Sequence, residues 1–293
     1  MQPQIADFLK NELEKLLYHE DVRAALMRTN PNVTESNTPE DKLNIFIEEA
    51  EQTIELVDLD KLDRDTAILE VGAGVGISFI YLQKMGYNIT GIEPAEDNVY
   101  SEYQFIAKEL FKIAKTDTSQ WYTLSIAESH SLNEKYDLII SNFVLEHVDD
   151  TENTLLKLYE ILHYGGKMAH NTVNYDVPFE PHLNLLLIPY AVKHTEKLLN
   201  FLRTNAVWQT LNFISYSEVN HISKKHQLNC TFKKHTTFEY LVRLMKDPEF
   251  RKRKAVFYKI FKILKKTRLA GLIKLLPVRY NTPLSFTITK TTQ

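Results

Sequence analysis

Apolar residues recur at helical spacing through the first part of the chain, at Ile5, Phe8, Leu9, Leu13, Leu16 and Leu17, which predicts helix over 2–28. A polar turn region from Thr29 to Pro39 ends it, and a second helix is expected from Pro39 to about Leu56. Both precede the first run that reads as a strand, so 1–65 is expected to form a helical arm or cap outside the central sheet. From Thr66 the period changes. Short apolar runs now alternate with helical stretches, the signature of successive βαβ units and a parallel sheet. Five strands are expected, at Ala67–Val71, Asn88–Glu93, Trp121–Ile126, Tyr136–Asn142 and Gly166–Val173, with helices near 76–85, 97–115 and 151–163. The pair Gly165 and Gly166 reads as the turn that closes the last of these helices, because glycine tolerates the left-handed cap conformation.

Residues 174–215 carry clustered prolines and aromatics over a length that exceeds an ordinary connection, which predicts a substrate-side insertion. A helix near 216–227, a strand near 229–236, a basic helical insertion at 239–278 and a final alternating strand, Leu284–Thr289, complete the pattern.

Composition narrows the class of protein. An apolar share of 44% beside 25% charged residues belongs to a packed globular chain. Cys230 is the single cysteine, which excludes an intrachain disulfide and a multi-cysteine metal site and fits a reducing cytoplasm. Asp7, Lys10 and Glu14 stand where a signal peptide needs apolar residues, and the longest apolar run, Leu185–Val192, is broken by Pro189, so no membrane span is expected.

The net charge of -3 hides an uneven distribution: Leu241 to Tyr280 holds thirteen Lys or Arg against two acids. Within it Val256, Phe257, Ile260, Phe261, Ile263, Leu264, Leu272, Ile273 and Leu276 alternate with the cations as an amphipathic helix or helix pair. Such a helix either packs its apolar face on the fold with a solvated basic rim, or docks on an anionic membrane surface. RNA ranks lower, because the aromatics keep to the apolar face instead of interleaving with the basic one.

The string Ile68-Leu69-Glu70-Val71-Gly72-Ala73-Gly74-Val75-Gly76 sets three glycines at a strand-to-helix junction, where the backbone turns sharply and a ligand can approach closely. A dinucleotide fingerprint needs its third glycine one residue later, and position 77 is Ile. Glu70, two residues before the first glycine, would repel a pyrophosphate and favour a ligand bearing ammonium and sulfonium charges. Glu93, at the end of the second strand, is placed to accept hydrogen bonds from ribose hydroxyls. Ala127-Glu128 and Asn142-Phe143 follow the third and fourth strands, at the carboxyl ends where open parallel sheets bind ligands.

Together the strings ILEVGAGVG, GIEPAEDN, AESHSL, YDLIISNFVLEHVDD and LHYGGKMAHNTV resemble the cofactor domain of class I S-adenosylmethionine-dependent methyltransferases, especially the group containing the ubiquinone and menaquinone enzymes. The resemblance covers 66–173 closely. It implies that Glu70, Gly72, Ala73, Gly74 and Gly76 surround the methionine part of S-adenosyl-L-methionine, that Glu93 with Pro94 meets the ribose, that Ala127 and Glu128 lie beside the adenine, and that Asn142 and Phe143 line the donor site. The fold implied is α/β: a Rossmann-like, seven-stranded, mostly parallel sheet with helices on both faces, its last strand reversed, together with the N-terminal helical arm and the C-terminal helical insertion.

Chemistry beyond the cofactor rests on three histidines. Pro178-Phe179-Glu180-Pro181-His182 would hold an acid and an imidazole in place, and Glu180 orienting His182 would let the imidazole take a proton from a substrate hydroxyl. His147, after Glu146 in the turn beyond the fourth strand, is an alternative base or a packing residue, and His170 reads as a core histidine. No motif of the H-E-x-x-H kind is present, so no metal is expected. The expected acceptor is a small or lipid-linked hydroxylated molecule such as a quinone precursor, glycan or secondary metabolite. The rival readings are a nicotinamide dehydrogenase, an RNA methyltransferase and a cofactor-binding protein without catalysis at a membrane.

Overall fold

The computed structural model describes residues 4–29, 38–57, 59–94, 99–189, 192–246, 250–251 and 255–291. Outside these lie most of the expected Thr29–Pro39 turn, the Ala95–Asn98 end of the GIEPAEDN string, the start of the helix expected from 97, and the cations Lys252 and Arg253 of the basic stretch.

The strands are β1 (Ala67–Val71), β2 (Asn88–Ile92), β3 (Trp121–Tyr122), β4 (Tyr136–Asn142), β5 (Leu162–Thr172), the short β6 (Phe179–Glu180) and β7 (Leu185–Leu186), β8 (Asn229–Phe232) and β9 (Leu284–Thr289). Seven of them form one sheet in the order β3-β2-β1-β4-β5-β9-β8, and β6 pairs with β7 as a separate antiparallel hairpin. The β1–β2, β1–β4 and β2–β3 pairs are parallel, with Ile68 facing Ile89 and Leu138 across the register. β1 and β4 are buried along nearly their whole length, which is why they read as largely apolar runs, interrupted by Glu70 in β1 and by Asp137 and the Ser141-Asn142 end in β4. β9 alternates buried and half-buried residues, the period-2 pattern of a strand with one covered face. The chain runs outward from β1 through β2 and β3, then crosses to β4 on the other side of β1. In open parallel sheets such a reversal, here at the carboxyl ends of β1 and β4, is where ligands generally bind.

Two compact units make up the chain: Met1–Val144 with Glu152–His170 and Ile288–Gln293, and Leu145–Thr151 with Asn171–Thr287. In the first, the expected N-terminal helix is broken into Ile5–Phe8, Lys10–Leu16 and Glu20–Arg28, followed by Pro39–Glu55, which begins at a Thr38 cap accepting the Asp41 N–H at 3.1 Å. Leu9, Leu16, Leu26 and Phe46 share one core with Ile68, Phe79 and Ile80. The expected arm is thus part of the packed core beside the sheet.

Two boundaries differ from expectation for identifiable reasons. The strand expected over Trp121–Ile126 stops at Tyr122, because Ser125 and Glu128 form a capping box that starts a 3-10 helix at Ile126. The helix expected over 151–163 ends at Glu160, and Gly165, with φ +83°, sits inside β5 instead of closing a helix. Gly166 is needed there for close backbone approach, since a Cβ would lie 3.0 Å from the Asp137 carbonyl oxygen.

Gly76 caps the helix Ile77–Lys84 with φ +77°, and a Cβ there would meet the Phe111 ring at 2.7 Å. Gly76→Ala is therefore expected to destabilise the fold by about 2–4 kcal/mol, from overpacking plus left-handed strain. Urea unfolding with an unchanged slope checks this.

Candidate active site

The glycine loop leaves β1 with left-handed backbone at Gly72 (φ +67°), Gly74 (φ +56°) and Gly76, a path that L side chains rarely follow. At Gly72 a Cβ would collide with the Val144 side chain at 2.4 Å, whereas at Gly74, its chain neighbours aside, no atom of the described residues lies within 4 Å. Gly74 therefore borders open space. Ala73 is 6% exposed. Two buried carboxylates flank the loop. Glu70 accepts a short hydrogen bond from the Ser78 hydroxyl through Oε1, while its Oε2 is buried with no hydrogen-bond partner among the described residues. Burial, reinforced by the charge of Glu93, pushes Glu70 up to about 8 against the pull of the Ser78 bond. Glu93 accepts the Gly74 N–H at 2.8 Å, and burial pushes it up to about 7. Pro94 follows it, half-buried.

Asn142 ends β4 and donates from Nδ2 to the Glu49 carbonyl at 3.0 Å, so the helix Pro39–Glu55 fixes its side chain. Phe143 takes up φ +55°, a strained conformation for an aromatic residue directly beyond β4. Ala127 and Glu128 lie exposed in the 3-10 helix Ile126–Leu132. The Glu128 carboxylate accepts from the Ser125 N–H at 2.9 Å and hydroxyl at 2.7 Å, which gives it a capping task in this state. His170 is fully buried against Ser141, its Nδ1 2.7 Å from the hydroxyl, and burial lowers it to about 3. A neutral core histidine results, as the sequence suggests.

The second unit gathers the remaining candidates. Glu180 ends β6 fully buried and accepts three hydrogen bonds: from the Tyr175 hydroxyl, from His182 N–H at 2.6 Å, and from His182 Nδ1, also at 2.6 Å. Burial raises the Glu180 carboxyl, but the His182 and Tyr175 contacts outweigh it and hold the group below the usual range. His182 occupies the turn of the β6–β7 hairpin with its side chain 31% exposed. Its ring centroid lies 5.7 Å from that of His147. His147 Nδ1 lies 2.9 Å from the Thr210 hydroxyl, which itself donates to the Val207 carbonyl. That hydroxyl therefore accepts from Nδ1–H, which selects the tautomer with an electron pair on Nε2. Burial, then the nearby His182, lowers His147 to about 4. Next to it Glu146 is fully buried. Its Oε2 accepts from the Thr172 hydroxyl at 2.7 Å and its Oε1 has no partner among the described residues. The turn is held by Asn212, whose Nδ2 donates to the Leu145 and Val148 carbonyls at 2.6 and 2.8 Å.

Sequence reasoning pairs Glu180 with His182 but misses Tyr175, Thr210 and Asn212, which reach the cluster only through folding. It also expects no metal, since no ligand motif is present. The structure nevertheless brings one ligand atom each of Glu146, His147 and His182 within 4.8 Å of one another. Two imidazoles and a carboxylate form a donor set that suits a small divalent ion such as zinc.

A family model described as a methyltransferase domain matches residues 46–231, a span that holds the glycine loop, the Glu146-His147 turn and the β6–β7 hairpin. The chain belongs to the methyltransferase family. An uncharacterized protein of Mycobacterium tuberculosis is 27% identical over 206 residues, covering 68% of this chain and 69% of its own length. A ubiquinone biosynthesis O-methyltransferase of Rickettsia canadensis is 25% identical over 158 residues, 53% of this chain and 62% of that enzyme. Among solved structures, a phosphoethanolamine N-methyltransferase 2 of Haemonchus contortus, in complex with phosphomonomethylethanolamine and S-adenosylhomocysteine, covers 92% of this chain and 60% of its own at a TM-score of 0.53. At 14% identity that likeness concerns the fold, and the chain spans less than two thirds of that enzyme.

This methyltransferase has the class I fold, and S-adenosyl-L-methionine is the cofactor bound in a solved neighbour of that fold. Its own residues fit the group. The unpartnered Glu70 Oε2 offers a buried carboxyl oxygen that a neighbouring ammonium would hold ionised, and the space at Gly74, open among the described residues, offers room for a ligand against bare backbone. The third glycine stands at 76, one residue early for a dinucleotide fingerprint, which weighs against the nicotinamide alternative.

Proposed function

We propose that this methyltransferase acts on an oxygen of a small or lipid-linked hydroxylated acceptor, with His182 as the proton acceptor and Glu180 as its positioning residue. The observation that carries this reading is the Glu180–His182 pair. A carboxylate fixed by three donors holds Nδ1–H of the imidazole and leaves Nε2 to take a proton. When bound, the cofactor supplies a methyl group on a sulfonium sulfur. Glu70 and the loop around Gly74 hold its methionine part, and Glu93 offers an oxygen to the ribose. His182 Nε2 takes the hydroxyl proton of the acceptor, which leaves its oxygen as the nucleophile for the methyl group that the cofactor would supply. The neutral imidazole of His147, beside His182, orients the same hydroxyl. The three residues Phe143 to Leu145 join the end of β4 to the Glu146-His147 turn. The O-methyltransferase among the relatives supports oxygen as the acceptor atom.

His182→Ala is expected to slow transfer of a labelled methyl group by roughly 10²–10⁴-fold at unchanged affinity for S-adenosylhomocysteine, with His147→Ala giving a smaller loss. Panels of phenolic, glycan and quinone-precursor acceptors, assayed with and without EDTA, supply the readout. Equal rates in wild type and both variants would remove the base assignment. Loss of activity in EDTA, restored by zinc, would recast the imidazoles as ligands. Cofactor binding with no transfer to any acceptor would favour a non-catalytic binding role.

A further inference from the structure

The span matched to the methyltransferase domain ends at residue 231, and the basic stretch lies beyond it. Part of that stretch behaves as a packed helix. In Ala255–Lys266, Phe261 is buried and its ring lies 6.2 Å from that of Phe238, while the Phe257 ring lies 5.1 Å from that of Phe179. Those contacts account for only one side of it. Ile263 on the same helix is 62% exposed.

The following 3-10 helix, Leu269–Leu275, buries none of its residues. Leu269 is 47% exposed, Leu272 57% and Leu275 75%. In a helix of three residues per turn, positions three apart eclipse one another, so these leucines form a single apolar ridge facing water. Leu276 widens it at 39% exposure. Around the ridge stand Lys259, Lys262, Lys265, Lys266, Arg268 and Lys274, all exposed, and no acidic residue occurs between Ala255 and Tyr280. A contiguous exposed apolar ridge in this cationic setting calls for a cover that is at once oily and negatively charged. Nucleic acid would neutralise the lysines and leave the leucines in water. An anionic bilayer surface satisfies both. No helix among the described residues is long and apolar enough to cross a membrane, so the contact is a surface one.

We propose that segment 255–280 docks the enzyme on anionic lipid, with Leu269, Leu272 and Leu275 entering the headgroup boundary while the lysines meet lipid phosphates. The inference is independent of the acceptor and of the catalytic base. The test is co-sedimentation of the full chain with phosphatidylcholine vesicles, with and without phosphatidylglycerol. Binding is expected only to the anionic vesicles, with most of it released in roughly 0.5 M salt, where charges are screened beyond a few Å. Leu272→Ser with Leu275→Ser, and separately Lys265→Gln with Lys266→Gln, should each lower partitioning at least about tenfold. Both pairs are exposed, and unchanged affinity for S-adenosylhomocysteine certifies their folding. Failure of the wild type to sediment with anionic vesicles overturns the proposal. So does loss confined to the lysine variant, or tighter retention by an RNA oligonucleotide that is indifferent to the leucines, since either would mark a polyanion site.

Discussion

Gly74→Asn is expected to leave the protein folded while weakening S-adenosylhomocysteine at least about a hundredfold, close to 3 kcal/mol. Three observations separate this residue from its neighbours. Its φ of +56° is one that asparagine adopts with little strain, so the backbone survives the change. Among the described residues, its chain neighbours aside, nothing stands within 4 Å of the place its Cβ would occupy, so the new side chain meets none of them there and projects instead into the cradle. Its N–H, which holds Glu93 at 2.8 Å, is retained. Calorimetric titration together with a melting curve reads both halves of the expectation. A variant that binds normally would mean that the ligand lies elsewhere, and Gly76→Ala, which should lose stability first, serves as the contrast.

The second large effect concerns charge. Glu70 and Glu93 titrate near 8 and 7 in the donor-free protein, against an ordinary value of 4.5. The folded state therefore holds these protons more tightly than the unfolded state does. For these two groups, stability is complete below about pH 4.5 and is lost as pH rises toward 8. Glu70→Gln removes most of that loss. The melting temperature of the donor-free variant should exceed wild type by roughly 5 °C at pH 8 and match it near pH 4.5. Affinity for the positively charged donor should move the other way, falling about ten- to a hundredfold at pH 8, because the ammonium loses its buried anion. A variant that melts with wild type at both pH values would show that Glu70 is ionised without cost and would undo the electrostatic account of donor choice.

The parts of this molecule that could be read in advance are those fixed by local pattern. β1, β4 and β9 fall on their expected residues because burial on one or both faces writes a largely apolar or an alternating signal. The glycine loop is legible for a similar reason, as a left-handed path demands glycine wherever it is used. Glu128 shows a signal present but outweighed: Ser125, followed three residues later by Glu128, is the pattern of a capping box, and the carboxylate caps. The acid–imidazole cluster was half visible. Glu180 and His182 are two residues apart, whereas Tyr175, Thr172, Thr210 and Asn212 complete it through contacts that no spacing announces. In the basic stretch, helical periodicity treats every apolar position alike. Only the tertiary fold sorts Phe261, which is buried, from Leu272 and Leu275, which are not.

The strand order carries a consequence for how the molecule is made. β9 follows both β5 and β8 in the chain yet lies between them in the sheet. During synthesis both of these are finished long before the residues that will separate them, and until Leu284–Thr289 arrive each offers unpaired backbone amides and carbonyls to whatever passes. The gap between β5 and β8 therefore cannot be filled until Leu284–Thr289 have been made.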